Sequence, residues 1–315
     1  MINQFIAVST KFICSFKSSL PFDVYLERAE GKYTNIYKKN STHDIEQLIR
    51  YELQNVKTLF INRSEKYNFE EFIQNLSIDE NLPTENIIEI MKAGLEFNLE
   101  HLDVENDEVN INIDLAVHNV KNSLNMLEND VMLTVNIFKA MASNSHLLKH
   151  SYMVSIFSII LAKLNGISSE RTLLSIGLGA FLHDVGHTRI DPKISTNEVL
   201  SHTEWEELKD HPQLGLKIID HSKSVSSDVR SIIIQHHEQH NGRGYPNRLA
   251  HYLIFPPAKI VAIADGFCSL ISNTSYRTTY KKPLEALEIM NGDIGHYDPI
   301  FLKSFTEMLT KKKSR

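Results

Sequence analysis

The chain has 315 residues, 42% of them hydrophobic and 23% charged, with a formal net charge of −6. That length accommodates two domains with buried cores, and the acidic balance offers no electrostatic footing for a nucleic-acid polymer or an anionic membrane surface. No run reaches the ~18 apolar residues of a membrane span, Ser9, Thr10, Lys11 and Ser15 interrupt the apolar N-terminus, and Cys14 and Cys268 make neither a disulfide framework nor a cysteine zinc pattern. The expectation is a cytoplasmic protein without a membrane span. The unusual figure is 15 histidines, most of them from His146 onward.

Residues 1–80 read as a small α/β unit, a candidate sensory or interaction domain. Phe22 to Glu27 alternates apolar and polar residues, Tyr33 to Tyr37 is rich in strand formers, and Glu30-Gly31-Lys32 suits the turn between them. Ile45, Leu48, Ile49 and Leu53 set a helix over Asp44–Leu53, Thr58 to Ile61 returns to strand, and a helix around Tyr67–Leu76 closes the unit. Residues 81–142 read as a helical connector, with a helix from Pro83 and Thr84 through Leu95 and one or two more over Asp107–Ala142. That last segment is also a candidate homodimer helix.

Residues 143–315 read as all-helical. A helix over about Ser143–Leu164 ends at Gly166, a buried helical run covers Leu173–Leu182, and Thr203-Glu204-Trp205-Glu206 reads as a capping box. Pro212 starts a helix with His211 at its lip. Ser227-Asp228 caps the helix of Ile232, Ile233 and Ile234, Pro256-Pro257 opens the run that reaches Asp265, and Pro283 and Pro299 start the last two helices. The fold class is therefore mainly α: a helical bundle preceded by a small α/β domain and a connector.

Seven imidazole and carboxylate side chains lie within or at the ends of these apolar helices: His150, His183, Asp184, His211, His236, His237 and Asp265. Buried together without a cation they would leave polar groups and negative charge uncompensated. Nitrogen and oxygen donors without thiolate suit iron, manganese or zinc.

His183-Asp184, followed by the stretch His236-His237-Glu238-Gln239-His240-Asn241-Gly242-Arg243-Gly244-Tyr245-Pro246, resembles the HD-GYP family of HD-type metal-dependent phosphohydrolases. Its signatures are HDxGK and HHExxDGxGYP, and the resemblance covers roughly residues 143–306, including His211-Pro212, Ala264-Asp265, Tyr276-Arg277 and Tyr297-Asp298-Pro299. The strand and helix order of the N-terminal unit resembles modules attached to some such enzymes. The resemblance implies a phosphodiesterase hydrolysing cyclic di-GMP to pGpG or GMP, using two divalent metal ions, iron first and manganese or zinc as alternatives, with a hydroxide between them. It assigns His150, His183 and Asp265 to one metal and His211, His236 and His237 to the other, with Asp184 bridging.

By the same resemblance Glu238 and His146 are supporting residues, Glu238 orienting a ligand histidine, and the glycines of the Gly242–Pro246 loop permit turns and close backbone approach to a nucleotide. Arg243, Gly244, Tyr245, Tyr276, Arg277 and Lys281 are candidates for substrate contacts, and GGDEF diguanylate cyclases are candidate partners of the loop. Four positions depart from the pattern. His187 stands where the motif has a lysine near the scissile phosphate, which makes it a candidate catalytic residue; Asn241 and Cys268 replace aspartates; Thr274-Ser275 replaces arginine–proline. A weakly active or inactive protein that senses cyclic dinucleotides is the alternative these departures raise.

Overall fold

The computed structural model describes residues 4–15, 19–41, 45–77, 86, 93, 116–117, 120–121, 146–195, 199–220, 225–272 and 281–310. The chain divides into two compact units, Met1–Leu102 with Asp114–Asn122, and Asp103–Ile113 with Ser123–Arg315. The connector expected over 81–142 lies outside the described residues except for Asn86, Ala93, Ala116, Val117, Val120 and Lys121.

In the first unit the period-two runs become strands β1 (Phe5–Ser9), β2 (Val24–Ala29), β3 (Lys32–Tyr37) and β4 (Thr58–Asn62), in one antiparallel sheet of order β1-β4-β2-β3. Gly31, at φ +71°, takes the left-handed turn conformation between β2 and β3 that a Cβ would strain. Alternation sends Ile6, Val8, Val24, Leu26, Leu59 and Ile61 to one face. There they meet Phe12 of helix α1 (Thr10–Cys14), Leu48 of α2 (Ile45–Leu53) and Phe69 and Ile73 of α3 (Lys66–Ser77). The strand β1 and helix α1 were not expected: Phe5-Ile6-Ala7-Val8 is apolar throughout and shows no alternation, the five residues of α1 make less than two turns, and tertiary contacts decide both.

In the second unit every regular element among the described residues is helical. They are α4 (His146–Leu164), α5 (Glu170–Leu182), α6 (Pro192–Ser195), α7 (His202–Leu208), α8 (His211–Ile219), α9 (Ser227–Gln235), α10 (Pro256–Ile271), α11 (Pro283–Gly292) and α12 (Pro299–Thr310), with a 3-10 turn at Val185–Arg189. Helix α4 is the hub. From Ser151 to Ala162 it is buried on every side, as a helix apolar all round must be, and it packs against α5 and α10. Phe157, Phe267 and Phe305 lock α4, α10 and α12 together through edge-to-face contacts with centroids 5.1–5.8 Å apart, each worth about 0.5–1.5 kcal/mol beyond the buried area.

The caps fall slightly upstream of where the sequence pointed. The capping box is Ser201 with Glu204, not one starting at Thr203: Ser201 Oγ accepts from the Glu204 amide and the Glu204 carboxylate accepts from the Ser201 amide. Ser226, rather than Ser227-Asp228, caps α9 by accepting from the Val229 amide. In both stretches neighbouring polar residues compete, and only the one with extended backbone can turn its oxygen onto the helix end.

Candidate metal centre

Helix ends deliver the key side chains. His183 is the residue after α5, His236 the residue after α9, and His211 the first residue of α8. The Nδ1 of His183 sits 2.6 Å from the Ala180 carbonyl, that of His211 2.8 Å from Leu208 and that of His236 2.7 Å from Ile233. A carbonyl can only accept, so each Nδ1 carries a proton, and wherever the ring is neutral its Nε2 presents a lone pair inward.

These lone pairs converge on Asp184, whose two oxygens face different neighbours. Oδ2 lies 3.2 Å from His183 Nε2 and 3.7 Å from His150 Nε2; Oδ1 lies 3.4 Å from His211 Nε2, 3.5 Å from His187 Nε2 and 3.8 Å from His236 Nε2. His150 Nε2 is also 3.0 Å from Asp265 Oδ1, which accepts from Ser269 Oγ at 3.2 Å. The structure brings the seven side chains into two groups with metal-ligand spacing, Asp184 with His211, His236 and His237, and His150 with His183 and Asp265.

The residues present fit metal ions. Buried His183 Nε2 makes no hydrogen bond. The Nε2 atoms of His211 and His236 stand 3.1 Å apart, and with both protons on Nδ1 that is two lone pairs facing each other, a repulsive arrangement that a cation relieves. The charge states agree. Burial first, and neighbouring imidazoles second, hold His211, His236 and His237 below the ordinary histidine range, His237 at about 3, so all three are neutral donors. Burial opposes ionisation of Asp184 and Asp265, but the surrounding histidines overcome it and hold both carboxyls well below their usual range. His183 differs: burial opposes its charge, but the Asp184 and Asp265 carboxylates outweigh it and raise that imidazole, so a cation bound there would take the place of the proton on its Nε2.

Two glycines make the approach of these elements possible. A Cβ on Gly186 would stand 1.9 Å from the His211 carbonyl oxygen and 2.7 Å from the Gly215 amide nitrogen, so the turn carrying Asp184 and His187 can lie against the start of α8 only with glycine there. A Cβ on Gly244 would stand 2.3–2.5 Å from the backbone of His237, Glu238 and Gln239. The close approach that Gly244 permits is thus to its own chain.

The remaining candidates are placed as follows. Tyr245 is half-buried and stacks on the His237 ring at 4.6 Å, and Arg243 is exposed on the loop. Glu238 does not orient a histidine: its oxygens accept from the Asn247 and Leu249 amides at 2.7 and 2.8 Å, because the loop folds back over a carboxylate that is itself buried. Lys281 pairs with Glu285 at 2.9 Å, and its amide donates to the Leu270 carbonyl. Asn241, where the motif has an aspartate, accepts from the Arg243 amide at 2.9 Å, a turn-forming bond that either residue can make. Cys268 is fully buried behind Asp265. Tyr276, Arg277 and the Thr274-Ser275 departure lie outside the described residues, as does the side chain of His146.

Sequence reasoning passed over Ser269 and Gly266, and gave no packing role to Gly186 or Tyr297. The phenol of Tyr297 fills the space a Cβ on Gly266 would take, and burial, with Asp265 and Asp293 behind it, raises its pKa. A serine four residues after Asp265 was the available signal for the first; a glycine's packing partner in another element leaves none.

A family model described as the HD domain matches residues 136–300. The chain belongs to the HD-domain family. Its paired HD and GYP motifs and its relatives place it in the HD-GYP branch. It is 29% identical to a 3′3′-cGAMP-specific phosphodiesterase of Vibrio cholerae over 69% of this HD-GYP chain and 42% of that one. It is 27% identical to a cyclic di-GMP phosphodiesterase of Pseudomonas aeruginosa, over 55% and 42%. The chain thus spans less than half the length of these relatives. The fold is also that of Bd1817, an HDG"Y"P protein of Bdellovibrio bacteriovorus, at a TM-score of 0.65 and 20% identity, covering 98% of this chain and 100% of that one. No helix among the described residues is long and apolar enough to cross a membrane.

Proposed function

We propose that this HD-GYP chain is a metal-dependent phosphodiesterase of cyclic dinucleotides, with cyclic di-GMP as substrate and pGpG or GMP as product. The observation that carries the reading is the pair of unprotonated nitrogens on His211 and His236, 3.1 Å apart within a set of seven donors. The names of the relatives supply the substrate class. Two ions would be held, one by His150, His183 and Asp265, the other by His211, His236 and His237, with Asp184 shared between them. Imidazole and carboxylate donors without thiolate suit iron, manganese or zinc, and the resemblance to HD-GYP enzymes puts iron first.

Bound divalent ions supply Lewis acidity and charge neutralisation at a phosphodiester. The protein's own residues do the rest. Asp184 turns one oxygen to each group of donors, and the backbone carbonyls behind His183, His211 and His236 fix each ring's tautomer and direction. Tyr245, already stacked on His237, presents an aromatic edge beside the donors for a nucleobase. Arg243 carries a guanidinium on the exposed loop for a phosphate. Tyr276 and Arg277 would add further substrate contacts, and Lys281 fewer, given its pairing with Glu285. A GGDEF protein docking on this loop and a homodimer are further parts of the reading.

A second reading, a cyclic dinucleotide sensor with little turnover, draws on His187, which places an imidazole against Asp184 where the motif has a lysine. The assay that separates them is hydrolysis of cyclic di-GMP, 3′3′-cGAMP and pGpG by protein loaded with iron, manganese or zinc. Turnover that Asp184→Ala abolishes supports the enzyme. Binding without turnover under all three metals overturns it in favour of the sensor.

A further inference from the structure

The turn from Val185 to Arg189 is 3-10 helical. With three residues per turn, positions i and i+3 eclipse, so His187 stands directly over Asp184. Its Nε2 lies 3.5 Å from Asp184 Oδ1, almost the same distance as His211 Nε2, at 3.4 Å. The His187 ring lies flat on the His211 ring, with centroids 4.2 Å apart and planes within 16°, so two imidazole edges point side by side at one carboxylate oxygen. Gly186 makes this contact possible by letting the turn touch the His211 backbone.

We propose that His187 is a further donor to the ion held by Asp184, His211, His236 and His237, and does not act as the phosphate-directed cation of the HDxGK motif. Donors that share one ion through bonds of ~2.0–2.1 Å lie roughly 2.8–3.4 Å apart at right-angled to tetrahedral angles. His187 Nε2 stands about 0.1 Å beyond that range from Asp184 Oδ1 and outside the group of four donors that all lie within 4.8 Å of one another, so a small swing of its ring would complete the approach. The chemistry of the exchange points the same way. A lysine ammonium has three protons and no lone pair at neutral pH, whereas a neutral imidazole has a lone pair to give. Replacing lysine by histidine here therefore converts a group that binds anions into one that binds cations.

Two consequences follow. A group with four imidazoles and one carboxylate prefers late first-row ions such as iron, cobalt, nickel and zinc over magnesium and manganese. It also has one open position fewer for a substrate oxygen, which would slow turnover while tightening metal binding.

The inference rests on the metal-centre reading above, and its test keeps the two separable. The full-length protein and its His187→Gln and His187→Lys variants are stripped of metal and titrated with zinc or cobalt(II) against a competing chelator. Ion stoichiometry and the cobalt(II) visible spectrum are the readouts. The expected result is two ions in the parent protein, with the second bound about 10- to 100-fold more weakly in both variants and the cobalt(II) bands shifted. Unchanged second-ion affinity together with unchanged bands would overturn the role of His187 and leave the metal centre intact. Less than one ion in the parent would remove both. If the lysine variant does not fold, as judged by its melting curve, the glutamine variant decides alone.

Discussion

Gly186→Ala is the sharpest test of how this site is assembled. The added methyl would stand 1.9 Å from the His211 carbonyl oxygen. An ordinary carbon–oxygen contact begins near ~3.3 Å, so the turn and the start of α8 must separate by about 1.4 Å. Neither obstacle is the tip of a flexible side chain: His211 oxygen and Gly215 nitrogen are both backbone atoms. The same movement would stretch the 3.4 Å approach of His211 to Asp184 and unstack His187 from His211. Overpacking of this kind costs about 1–3 kcal/mol. The variant is therefore expected to lower the urea midpoint and, of the two ions proposed above, to lose one while the group of His150, His183 and Asp265 keeps its own. Gly292→Ala is the control, because a Cβ there meets nothing within 4 Å; at this helix end it is expected to keep both ions and to leave the urea midpoint unchanged or slightly raised. Wild-type stability and two tightly held ions in Gly186→Ala would refute the claim that backbone contact at this glycine builds the site.

The metal-free protein should lose stability as it is acidified from pH 7 to pH 5. Folded His211, His236 and His237 sit below the ordinary 6.5, His237 at about 3, so the unfolded chain binds more protons below that pH. His183 acts in the opposite sense, its contribution being full below 6.5 and fading as pH rises through its raised folded value, and one group does not offset three. Asp184 and Asp265 add a further loss below 3.8, as pH falls towards their depressed folded values. A urea midpoint that stays flat or rises between pH 7 and pH 5 would contradict this. Glu238→Gln keeps one acceptor oxygen of two, so it should cost about 1–3 kcal/mol and speed hydrogen exchange at the Asn247 and Leu249 amides; unchanged protection there would refute the anchoring role. Asn241→Asp should shift stability by less than about 0.5 kcal/mol, since either side chain accepts from the Arg243 amide, and a larger change in melting would show that the charge matters.

How much was legible in the sequence differs by element. The helices of the second unit follow from apolar spacing and proline placement, because burial on α4, α5 and α10 repeats over many residues. The sheet of the first unit is largely legible: β2, β3 and β4 show strand formers and a glycine turn, whereas β1 is a continuous apolar run and α1 little more than one turn, so tertiary contacts decide them. The seven side chains that the fold gathers could be named from residue type and motif. What each supporting residue touches could not, because that depends on partners distant in sequence. Glu238 meets amides nine and eleven positions away, Gly186 meets a helix start twenty-five positions on, and His187 lies on a ring from that same helix. The motif lysine suggested a phosphate contact at His187; the 3-10 turn faces it to Asp184 instead.

The Gly242–Pro246 loop has a consequence for how specificity can change. Most amides in and around it are already committed: Asn241 to Gly295, Gly242 to Gln239, Arg243 to the Asn241 side chain, Tyr245 to His237, and beyond it Asn247 and Leu249 to Glu238. A loop that holds its own shape so completely has little backbone left with which to read a nucleotide. Under the proposed function, recognition would fall to side chains such as Arg243 and Tyr245. Framework and reader are thus different atoms of the same segment, and the reader can be exchanged while the framework stands. Such a division lets one scaffold drift between related ligands by single substitutions at two or three positions, without passing through an unfolded intermediate sequence.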